Sequence, residues 1–109
     1  NIIVKSEYKL IQIPENKILY IEGLKDYVKF VLEDGSSVMS LMSLKNIEQN
    51  LSEPTFLRVH RSYIVNTDKI TMIERNCIVF DKTFIPISES YKNAFNDYIN
   101  SHALSPIRF

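Results

Sequence analysis

Phe56-Leu57-Arg58-Val59-His60-Arg61-Ser62-Tyr63-Ile64-Val65-Asn66 is the most informative stretch of the chain. Its ends, Phe56 to Val59 and Tyr63 to Val65, carry the β-branched and aromatic residues that suit a half-buried strand. The stretch also holds the densest polar group in the sequence: Arg58, His60, Arg61 and Ser62. On an extended chain Arg58, His60 and Ser62 share one face, and Val59 and Arg61 the other. Arginine offers a planar fork of donors that fits a phosphate or the major-groove edge of guanine. Histidine and serine add short-range donors and acceptors. An edge strand with a solvated polar side accounts for the same pattern.

Strand patterns extend on both sides of this stretch. Upstream, Tyr8 to Ile13 alternates and ends in the turn residues Pro14-Glu15-Asn16. Ile18 to Glu22 is a second strand, expected to break at Gly23, and Tyr27 to Leu32 is a third. Asp34-Gly35 then marks a hairpin, because glycine accepts positive φ without strain, and Ser37 to Leu41 returns. Leu44, Ile47, Glu48 and Leu51 switch to helical spacing, with Ser43 as N-cap and Pro54 beyond the end. Downstream, Ile70 to Glu74, Cys77 to Phe80 and Phe84 to Ile87 are short strands separated by turns at Asn76 and Asp81-Lys82. A last helix follows, with Ser88 as N-cap and an apolar stripe of Tyr91, Ala94, Phe95, Tyr98 and Ile99. The tail after His102 contains Pro106 and is expected to fray. The pattern is mainly β with two short helices.

The 109 residues fit one domain, which at that length hides roughly two-thirds of its unfolded surface. Thirteen basic and thirteen acidic side chains leave no net charge, so composition alone does not point to a polyanion. Any nucleic-acid site must concentrate its cations locally. The single cysteine, Cys77, rules out an internal disulfide and reads as a small buried hydrophobe. No apolar run approaches the ~18 residues of a membrane span, and no signal peptide is apparent. The chain starts at Asn1 rather than Met. These features lead us to expect a reduced, cytoplasmic domain cut from a longer protein.

Two further segments could hold a ligand. Lys25-Asp26-Tyr27-Val28-Lys29 follows Gly23-Leu24 and could reach a phosphate backbone, although a wet loop explains it too. Ser88-Glu89-Ser90-Tyr91-Lys92 opens the last helix, where free amides suit an anion and Glu89 competes for the same dipole. Catalysis finds little support. His60 and Ser62 lack an orienting acid and an oxyanion elbow. Two glycines allow no phosphate-cradling loop, and two histidines with one distant cysteine make no zinc site. We expect no enzyme, no cofactor and no metal. A module that binds partner chains through exposed strand edges is the competing class, and a continuous basic stripe through Lys25, Lys29, Arg58 and Arg61 would argue for nucleic acid.

The stretch from Phe56 to Asn66 resembles the LytTR family, the DNA-binding output domain of many bacterial response regulators. IPENKILYIEGLKDYVKFVLEDG resembles the family's opening strands, MSLKNIEQNL its short first helix, and IPISESYKNAFNDYI its final strand and helix. The resemblance covers about Ile11 to Ile99. It implies a single domain over residues 1–109 (core about 11–100), an elongated arrangement of three small, mostly antiparallel β-sheets with two short α-helices. It also implies a transcription regulator in a two-component system, binding double-stranded DNA with short direct repeats through loops in successive major grooves. An upstream receiver domain, a sensor kinase and self-association on adjacent repeats belong to the same expectation.

By position, the resemblance makes Tyr27 and Arg61 groove readers. The remaining DNA-binding residues would be Lys25, Lys29, Arg58, His60, Ser62, Ser88, Glu89, Ser90 and Lys92. Glu89 stands where the family often has a basic residue. A carboxylate repels phosphate and can accept only from a base amino group such as cytosine N4. His60 would serve as much to hold its loop as to read a base. The acids Glu7, Glu15, Glu33, Glu48, Glu53 and Asp97 would lie mostly outside the reading loops, with Asp26 and Glu89 inside.

Overall fold

The computed structural model describes residues 1–51 and 54–107, and Glu53 and the C-terminal pair 108–109 lie outside the described residues. It begins with a hairpin of β1 (Ile2–Ser6) and β2 (Lys9–Ile13). The sequence indicates only the second strand. Its turn, Glu7-Tyr8, contains no glycine, and Glu7 itself takes the left-handed φ of 59°. No turn residue therefore announces the reversal.

The strands β3 (Ile18–Leu24), β4 (Tyr27–Leu32) and β5 (Ser37–Ser40) form a meander. The Asp34-Gly35 hairpin is present, with Gly35 at φ 90° and its amide bonded to the Leu32 carbonyl. Helix α1 (Leu44–Asn50) starts at Ser43, whose hydroxyl accepts from the Asn46 amide while the Asn46 side chain accepts from the Ser43 amide. That reciprocal cap stabilises a helix of barely two turns. Then come β6 (Phe56–His60), β7 (Tyr63–Asn66), β8 (Met72–Glu74), β9 (Cys77–Phe80), β10 (Thr83–Pro86) and α2 (Glu89–His102). The sheets are a β1-β2 pair, a three-stranded β10-β9-β8 and a five-stranded β5-β4-β3-β7-β6, all antiparallel. This is the elongated, three-sheet architecture expected, measuring 48 × 26 × 26 Å.

Strand alternation lets the middle sheet serve two cores. Ile21 opposite Ile64 faces Val4, Ile13, Phe30, Leu44 and Ile47. Tyr20 opposite Val65 faces the other way, toward Val59, Ile78, Phe80, Ile85 and Phe95. One core is closed by α1 and the β1-β2 hairpin, the other by the three-stranded sheet and α2. Two cores in series give a radius of gyration of 14.0 Å, against about 13 Å for a compact chain of this length.

Gly23 does not break its strand. β3 runs on to Leu24, and glycine is needed because Leu44 of α1 seats on it: a Cβ there would lie 2.9 Å from Leu44 Cδ1. Gly23→Ala should cost about 1–3 kcal/mol by overpacking, read as a lower midpoint in denaturant. An unchanged midpoint would mean that Leu44 swings aside freely.

Two smaller expectations are also corrected. Only Phe95 of the α2 stripe is fully buried, with Tyr91, Tyr98 and Ile99 half-buried and Ala94 exposed. The tail turns back on α2, its Ile107 amide bonded to the Asn100 side chain. Cys77, read from the sequence as buried, is half-buried and free, which is a third correction. Among the described residues, no helix is long and apolar enough to cross a membrane.

Candidate nucleic-acid interface

The β6–β7 segment reverses at Arg61-Ser62 instead of running straight. Arg58 pairs with Ile64 and His60 with Tyr63, so Val59 is an extra, fully buried residue in a bulge. The bulge and the reversal end the simple alternation, and Arg58, His60 and Ser62 do not line one face of a strand. Each instead has its own place in the turn.

His60 holds the turn from within. Its Nδ1 accepts a hydrogen bond from the Ser62 amide at 3.0 Å, which assigns the ring proton to Nε2 in the neutral form. Ser62 in turn accepts from the Gly23 amide at 2.8 Å. Arg58 points inward, its side chain only 15% exposed. Its Nε donates to the His60 carbonyl at 2.8 Å and its Nη2 to the Arg61 carbonyl at 2.5 Å. Its Nη1 pairs with the Glu48 carboxylate of α1, and the guanidinium lies over the Tyr91 ring, 5.6 Å from its centroid. Arg61 is exposed, and among the described residues its guanidinium enters no hydrogen bond or ion pair. The expected basic stripe is thus interrupted: Arg58 is neutralised behind the turn and Arg61 stands free in front of it.

The β3–β4 turn lies beside this one. Glu22 is opposite Tyr63 in the ladder, and the Gly23–Ser62 bond joins the two turns at one end of the five-stranded sheet. Lys25 and Asp26 form the exposed turn and Tyr27 is 47% exposed. Lys29 is half-buried, opposite Glu22 on β3. Tyr63 donates its hydroxyl to Glu22 at 3.4 Å, and burial, then the Glu22 charge, raise its pKa above the ordinary phenol value. Its hydroxyl therefore stays a neutral donor at the base of the site.

The start of α2 completes the group. The Ser88 amide donates to the Val59 carbonyl at 3.0 Å, which places the helix start next to the strand that leads into Arg61. Ser88 caps the helix through its carbonyl, bonded to the Tyr91 amide, and not through its hydroxyl. Ser90 is exposed, and Glu89, 90% exposed, lies 3.8 Å from Lys92. Lys92 is therefore partly neutralised by its own helix.

Two of the acids are closer than expected. Glu48 clasps Arg58 directly behind the turn, and Glu7 borders the same surface hollow as Tyr27. Glu33 lies at the far end of its sheet, where hydrogen bonds from Lys69 and Lys17 lower its pKa. Lys45 is exposed next in sequence to Leu44, the residue seated on Gly23. Its neighbour Leu44 packs on the end of β3, and nothing local to MSLKNIEQNL signals that packing. Among the described residues no cluster of His, Cys, Asp and Glu could hold a metal ion.

The chain and its fold are similar to known proteins. The family model described as the LytTr DNA-binding domain matches residues 8–100. The sensory transduction protein LytT of Bacillus subtilis is 35% identical over 88 residues, covering 74% of this chain and 36% of its own length. Its namesake from Bacillus cereus is 28% identical over 102 residues, covering 81% and 42%. The chain thus spans about two-fifths of the length of these relatives. A solved LytTr DNA-binding domain from a Bacillus cereus response regulator superposes with a TM-score of 0.76 at 26% identity, over 90% of this chain and 94% of that one.

Proposed function

The chain belongs to the LytTr DNA-binding domain family, and from that premise we propose that it binds double-stranded DNA sequence-specifically as the output domain of a response regulator. The observation that carries this reading is the convergence of three segments at one place. Backbone bonds from Gly23 to Ser62 and from Ser88 to Val59 bring together the β3–β4 turn, the β6–β7 turn and the start of α2. Neither helix is free to lie in a groove along its length, since α1 is two turns long and α2 closes the second core. Protruding turns are what remains to enter the major groove.

Arg61 and Tyr27 are the base readers in this proposal, each exposed at its own turn. Lys25, Lys29, Ser62, Ser88, Ser90 and Lys92 contact phosphates or sugars, which sets the register without reading sequence. His60 shapes the turn that presents Arg61. Entry of the reading loops into successive major grooves belongs to the same proposal, and short direct repeats would seat two copies in tandem. In the whole protein a receiver domain, phosphorylated by a sensor kinase in the cytoplasm, would promote that pairing. The chain acts by contact, without chemistry or cofactor.

The test is selection of bound duplexes from a random library, followed by a gel shift over a salt series. One enriched motif is expected, with affinity falling steeply as salt rises through counterion release. No enriched duplex would overturn the reading and favour strand-edge binding, for which the exposed Met72 and Phe84, both opposite Val79, speak.

Glu89 gives a second check. If it faces the phosphates, Glu89→Arg should raise affinity for a scrambled duplex and steepen the salt slope by about 1. The helix loses an acidic residue from its first turn, a cost of about 0.3–1 kcal/mol in stability. An unchanged slope would place Glu89 away from the phosphates.

A further inference from the structure

We propose that Arg58 is a positioning residue for sequence reading: it sets where Arg61 stands relative to the start of α2. The inference rests on the DNA-binding reading above and concerns a side chain that touches no DNA. Arg58 reaches three elements at once. Its Nε and Nη2 hold the carbonyls of His60, the last residue of β6, and Arg61, the first residue of the turn. Its Nη1 holds Glu48 on α1, and its flat face covers Tyr91, two residues after Glu89. Without the guanidinium each carbonyl loses a charge-assisted donor that fixes its direction.

The geometry suits arginine and no other cation. Two carbonyls of adjacent residues, a carboxylate and an aromatic face need a planar fork with donors on several edges. A lysine has one compact ammonium and could serve only one of these partners well. Glu48 neutralises the charge, so Arg58 adds little to the attraction of the surface for phosphate. Its effect should therefore fall on discrimination between sequences and not on general affinity.

The experiment compares Arg58→Lys with the unaltered chain on two duplexes, the one enriched from the random library and a scrambled version. We expect the ratio of the two affinities to fall about tenfold, the scale of one misplaced bidentate base contact. Affinity for the scrambled duplex, its salt slope and the circular dichroism spectrum should stay as they were. An unchanged ratio in the folded variant overturns the proposal. So does an equal loss on both duplexes that tracks the unfolded fraction, because Arg58 would then serve stability alone. If Arg58→Lys does not fold, Glu48→Gln decides. Glu48 is 43% exposed, and its loss frees the fork on one side only. A ratio lowered severalfold supports the proposal, and an unchanged ratio overturns it. If the unaltered chain itself enriches no duplex, the failure belongs to the DNA-binding reading and not to the role of Arg58.

Discussion

Arg61→Ala should weaken binding to the enriched duplex by about 1–3 kcal/mol, the value of one bidentate contact to a base edge. The loss should concentrate at one base pair, where the variant tolerates substitutions that the unaltered chain rejects. Stability should hardly move. The Arg61 side chain is exposed and makes no hydrogen bond or ion pair among the described residues, whereas its carbonyl, which does, survives the substitution. A titration at fixed salt against every single-base variant of the site measures both effects. Uniform weakening across all variants would make Arg61 a phosphate contact, and no weakening would remove it from the interface. Lys25→Ala is the useful contrast, since a phosphate contact lowers affinity for all sequences alike.

Phe95→Ala should be the most destabilising single change, at about 3–5 kcal/mol. Phe95 is the only fully buried residue of α2, with no exposed surface, and it packs among Val59, Ile78 and Ile85. Removing the ring leaves a cavity bounded by β-strands that cannot collapse into it. A domain of this size holds a total of about 5–15 kcal/mol, so the melting temperature should drop by more than about 10 °C. Differential scanning calorimetry reads this directly. A drop of only a few degrees would show that α2 shifts to fill the space. The substitution also bears on function, because α2 is anchored beside Val59 and the turn that presents Arg61.

Much of the fold is visible in the sequence wherever local chemistry decides the local structure. Asp34-Gly35 makes a hairpin because glycine takes φ 90° there, and Ser43 caps α1 through its own hydroxyl. The β1–β2 hairpin is hidden for the complementary reason: a glutamate carries the left-handed residue of its turn. Gly23 misleads, since its missing side chain makes room for Leu44 and does not end a strand. At the site, Arg61, Tyr27 and the start of α2 are marked by exposed polar residues between apolar strands. Arg58 shows the limit. Alternation assigns it to the same face as His60 and Ser62, but the bulge at Val59 and the reversal at Arg61-Ser62 undo that assignment. Its partners, Glu48 and Tyr91, come from distant parts of the chain. Long-range packing decides which cations reach the interface and which are neutralised behind it.

The shared middle sheet has a consequence for how the domain melts. β3 and β7 give Ile21 and Ile64 to one core and Tyr20 and Val65 to the other. Neither half can lose these strands and leave its neighbour intact, although the molecule is nearly twice as long as it is wide. The two halves should therefore unfold as a single cooperative unit, with the strands as a common wall. Damage in the three-stranded sheet should be felt at the turn that carries Arg61, and a ligand seated on that turn should raise the melting temperature of the whole molecule.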